Sequence, residues 1–142
     1  MSKLIHIAEP AEIASILDII HDCWFDKDDI VYNPEKLILS FKFLLESPEH
    51  KKQISKVGFV KKMSIPYLEC FLQILHVKTY HITDKENVGK YDFNELKYDA
   101  DQNKICITTG IPLDIEVFVD SFEVQVEITD KIIKEKASLS LF

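Results

Sequence analysis

Residues 113–128 read Leu-Asp-Ile-Glu-Val-Phe-Val-Asp-Ser-Phe-Glu-Val-Gln-Val-Glu-Ile. Successive strand side chains point to opposite faces, so strict alternation marks a strand with one buried and one solvated side. Leu113, Ile115, Val117 and Val119 form one apolar set, and Phe122, Val124, Val126 and Ile128 form the next. The apolar phase moves from odd to even positions between them. A one-residue slip would turn the core set into solvent, so a tight turn or bulge belongs at Asp120-Ser121.

Upstream, the same period recurs. Lys104–Thr109 and Tyr91–Tyr98 flank a polar turn at 99–103, and Gly110-Ile111-Pro112 makes the next connection. Thr83 and Glu86 have capping-box spacing for one turn that Gly89 closes. Tyr67–Thr83 reads as one long or bent strand with Leu68, Cys70, Leu72 and Ile74 facing the core. Leu37, Leu39, Phe41, Phe43 and Leu45 share a face. Asn33-Pro34-Glu35-Lys36 ahead of them is a type I turn, which makes a hairpin with Ile30–Tyr32. One helix stands out. Pro10 suits its first position, and Ile13, Ile16, Leu17 and Ile20 form its apolar stripe.

These elements predict an α+β fold, one N-terminal helix packed on a mostly antiparallel, curved sheet or sandwich of about seven strands. A chain of 142 residues is expected to form a single domain over 1–142. Residues 46–62, with five lysines and no acid after Glu49, are expected to be a mobile basic loop. The tail 131–142 alternates at Leu139, Leu141 and Phe142 and is expected to dock on a sheet edge, its own or a second subunit's.

The net charge is −7, with 17 lysines, 24 carboxylates and no arginine. An acidic surface without the bidentate phosphate clamp argues against nucleic acid and anionic membrane. Cys23, Cys70 and Cys106 are an odd number with no CxxC pair, which fits a reducing compartment. MSKLIHIAEP carries no signal-peptide pattern and no apolar run is long enough to span a bilayer, so a cytoplasmic location is expected.

No motif compels a reaction. With three glycines there is no phosphate cradle. His21-Asp22 matches the metal-binding dipeptide of a helical phosphohydrolase class, but one helix cannot supply that class's other ligands; the pair reads as a helix end. Asp26-x-Asp28 misses the EF-hand glycine and glutamate, with Val31 and Leu37 in their places. His76 and His81 fall on opposite faces of a regular strand, His76 towards the core and His81 within reach of Asp84. No cofactor is expected. The remaining candidate surface is acidic: Asp26, Asp28, Asp29, Asp114, Glu116, Asp120, Glu123 and Glu127, placed to meet a basic protein partner. The alternative is a small metal-dependent hydrolase using His21, Asp22 and a distant His76 or His81.

The run from Ile16 to Leu45, a helix ending in His-Asp, an aromatic, and Asp-Asp-Ile entering a hairpin ahead of acidic strands, resembles small bacterial α+β proteins. Some of these are grouped with immunity proteins of polymorphic toxin systems. The resemblance implies an acidic, non-enzymatic protein that neutralises a toxin by covering its site, and it transfers no catalytic residue. A homodimer through a sheet edge or the tail is compatible with it.

Overall fold

A computed structural model of the protein describes residues 2–47, 52–57 and 60–141. The helix forms where its stripe predicts, with a 3-10 turn at Pro10–Glu12 leading into α1 (Ile13–Ile20). Ile16 and Ile20 are fully buried. The rest is strand: β1 (Lys3–Ile7), β2 (Trp24–Asn33), β3 (Ile38–Glu46), β4 (Lys52–Val57), β5 (Val60–Ile74), β6 (Val77–Thr83), β7 (Lys90–Asp99), β8 (Lys104–Thr109), β9 (Asp114–Val119) and β10 (Val124–Leu141). The class is therefore mainly β, and the α+β expectation is corrected. Among the described residues one α-helix of eight residues lies against β7 beside ten strands, not seven.

The strands follow one antiparallel path, β1-β10-β5-β3-β2-β7-β8-β9-β6, with β4 pairing β5 off it. A corner folds that path over its own core. Leu75–His76 separates β5 from β6, and 120–123 separates β9 from β10. The two breaks lie side by side. The Leu75 amide donates to the Glu123 carbonyl (3.0 Å) and the Asp120 amide to the His76 carbonyl (2.9 Å). This is the irregularity that the phase change at Asp120-Ser121 requires. Inward residues from both sides of the corner, Leu72, Ile74, Val77, Val117, Val119, Val124 and Val126, are all buried in one cluster. Phe25, Phe41, Phe43, Tyr91 and Phe93 fill its centre, with Phe25 stacked on Phe93 at 4.4 Å. Among the described residues no helix is long and apolar enough to cross a membrane.

Three further expectations are corrected. The basic loop at 46–62 contains β4 and the start of β5, paired from Lys52↔Ser64 to Val57↔Val60; residues 48–51, 58 and 59 lie outside the described residues. Leu37 is not on the core face. The turn takes residues 34–37, so Leu37 closes it at φ 58° and stays 40% exposed. A turn does follow Asn33, whose Oδ1 accepts from the Glu35 and Lys36 amides (3.0 and 3.1 Å). His76 is exposed rather than buried, because its φ of 56° at the corner turns it out of the alternation.

The tail docks on its own molecule. Beyond a register shift at 128–134, β10 continues against the first half of β5, from Glu135↔Pro66 to Leu141↔Val60.

Candidate functional site

The end of α1 and the start of β2 build a groove. His21 caps the helix, and Asp22 turns the chain at φ 66°, a region that aspartate enters more readily than most residues. Backbone bonds pin this turn to β7. The Asp22 amide donates to the Phe93 carbonyl (2.8 Å), and the Phe93 amide donates to the Cys23 carbonyl (3.0 Å). β2 then alternates, sending Phe25 into the core and leaving Trp24, the only tryptophan, 47% exposed. The resulting groove of about 670 Å³ is lined by His21, Asp22, Trp24, Asp26, Glu46, Tyr67 and Lys90, among others.

Its lining is mixed acidic and aromatic. The lining includes the carboxylates of Asp22, Asp26 and Glu46, the Lys90 amine and the Trp24 indole, and an aromatic ring beside carboxylates attracts a guanidinium or ammonium by both charge and ring. His21 Nδ1 lies 3.2 Å from Asp22 Oδ2, with both side chains mostly in solvent. The groove holds no ready nucleophile. Burial, with smaller contributions from Cys70 and Asp22, pushes the Cys23 thiol up to about 12, so it stays protonated at physiological pH.

Of the predicted acidic residues, only Asp26 joins this groove. The register between β2 and β3 jumps from Phe25↔Phe43 to Ile30↔Phe41, and the intervening residues bulge. Asp28 and Asp29 consequently line a second hollow of about 440 Å³ with Lys36, Lys42 and Phe71, where Asp29 sits 3.6 Å from Lys42 Nζ.

The acids of 114–127 are divided by the corner, and several are matched within the molecule. Glu116 accepts from Lys104 Nζ at 2.8 Å, a hydrogen bond that holds its carboxyl below the usual range and Lys104 above its own. Asp120 lies 3.4 Å from Lys78. Glu123 bridges two imidazoles, with Oε2 at 3.0 Å from His6 Nε2 and Oε1 at 2.9 Å from His76 Nε2. Those two bonds lower its pKa. Asp114 is exposed at the start of β9, and Glu127 lies opposite both Leu4 and Phe71 in register. His6 was invisible as a partner because β1 is short. Its signal is the alternation of Leu4 and His6 with Ile5 and Ile7.

The residues of the hydrolase alternative are not gathered. His21 and Asp22 lie at the groove, His76 at the corner, and His81 opposite Glu116 with its ring edge-on to Phe118. Asp84 does not pair with His81; it takes Lys27 Nζ at 3.0 Å. Among the described residues no three His, Cys, Asp or Glu are arranged to hold a metal ion. Comparison with protein-family models, curated proteins and solved structures gave no match.

Proposed function

We propose that the protein is a non-enzymatic binding protein whose acidic groove takes a basic side chain of a protein partner, as an immunity-type inhibitor covering a toxin would. One observation carries the reading: a half-exposed Trp24 lines the same groove as Asp22 and Asp26. Burying a large aromatic in water's place, with carboxylates to orient a cation, is the composition of an interface anchor. The Cys23 thiol in the groove is raised, not activated as a nucleophile.

Trp24 is its own reporter. Titrating an arginine-rich peptide should change Trp24 emission saturably, and molar salt should abolish the change by screening. Asp22→Asn with Asp26→Asn should weaken binding at least tenfold. Glu116→Gln should leave it unchanged, because Lys104 already holds that carboxylate. A peptide affinity indifferent to Asp22 and Asp26 overturns the proposal.

A further inference from the structure

Lysines cluster elsewhere in the chain. β4, the first half of β5 and the last part of β10 form a three-stranded arm, with β5 in the middle. Its strands carry Lys52, Lys56, Lys61, Lys62, Lys134 and Lys136 against the single acid Glu135, a net +5. The whole chain is −7, so the remainder carries −12. The backbone register sets Lys56 opposite Lys61.

We infer that the arm of a second copy of this chain occupies the acidic groove, each copy filling the other's. This rests on the groove reading above, with the chain itself as one basic partner. β5 runs as one strand from Val60 to Ile74, so the arm continues the sheet and is not a separate loop. Arm and groove are contiguous. The Ser47 amide donates to the Pro66 carbonyl (2.9 Å) at the arm's root, and the neighbouring Glu46 and Tyr67 line the groove. A twofold axis beside that root lays each arm on the partner's groove, so the contact is self-complementary and closes as a dimer instead of growing into a filament. Apolar surface is available on both sides. Ile132 and Ile133, at the base of the arm, are 50% and 42% exposed, and Trp24 waits in the groove.

The test is sedimentation velocity on the full chain and two charge-reversed variants. Wild type should be a dimer in low salt. It should become a monomer in molar salt, where the screening length is about 3 Å. Lys56→Glu with Lys61→Glu and Lys62→Glu removes the basic arm; Asp22→Lys with Asp26→Lys removes the acidic groove. Each variant alone should be monomeric. Their equimolar mixture should restore the dimer, because both contacts are then complementary again, and circular dichroism of each variant checks that it is folded. Wild type that stays monomeric in low salt, reversals that dimerise as wild type does, or a mixture of folded variants that stays monomeric overturns the inference. If the arm-reversed monomer still binds the arginine-rich peptide, the groove reading stands without the dimer. If it does not, that reading falls as well. A single-stranded oligonucleotide that binds wild type but not the arm variant, with no dimer present, would assign the arm to nucleic acid and also overturn the inference.

Discussion

Tyr91 has no exposed surface, yet its hydroxyl ties three segments together. It hydrogen-bonds the Asp84 carboxylate, which also takes Lys27 Nζ, and accepts from the Gly89 amide at 3.1 Å. The Tyr91 bond, with help from Lys27 and the Asn87 amide, lowers the pKa of Asp84. Tyr91→Phe keeps the ring among Phe25 and its neighbours but strips that hydroxyl. It should destabilise by about 1–3 kcal/mol, the cost of buried polar groups left without partners, read as a lower urea midpoint at unchanged slope. At the corner, Glu123 titrates in a predictable direction. Its folded pKa lies below its unfolded one, so it stabilises the fold above the ordinary glutamate value of about 4.3 and loses that contribution as pH falls through the folded value. Glu123→Gln should melt below wild type near neutrality, and the gap should close on acidification beneath that value. A gap independent of pH would mean that the carboxylate's charge is idle.

At the scale of elements, the tail is the clearest case. Residues 137–141 pair with Ser64 to Val60 on the side of β5 away from β4. Deleting 137–142 exposes that ladder, and the melting temperature should drop; an unchanged melting curve would show that β4 alone holds the arm. The elements were legible wherever alternation was regular. Leu39–Phe43, Leu68–Ile74 and Leu113–Val126 bury the sets their period predicts, and Ile128 is partly buried. Three strands were lost for physical reasons. β1 is mostly exposed, so its five residues carry little apolar contrast. The first half of β2 holds a bulge, so its residues share no single phase. β4 is a run of lysine, polar and branched residues whose strand character comes from pairing with β5. The site was half legible. His21, Asp22 and Asp26 were found as candidates, but Trp24, Glu46 and Tyr67 come from three different strands. Only the β2-β3-β5 adjacency brings them to one groove.

Across the whole molecule, positive and negative charge are sorted into an arm and a body. A net acidic protein of this kind should bind an anion exchanger through its body and a cation exchanger through its arm. The order of the sheet has a separate consequence, in time. Among the described strands β1 pairs with β10 alone, with Lys3 opposite Ile128 and Ile7 opposite Val124. At a synthesis rate of about 5–20 residues per second, roughly 6–25 seconds separate the making of Lys3 from that of Ile128. Throughout that wait the first strand has no template, and β5 lacks one of its two central neighbours. A ribosome-bound chain stalled before residue 124 should therefore be cut by protease within residues 3–7, and one stalled well past residue 128 should not. β1 therefore waits on a strand more than a hundred residues further along the chain, and this edge of the sheet cannot form as a growing front.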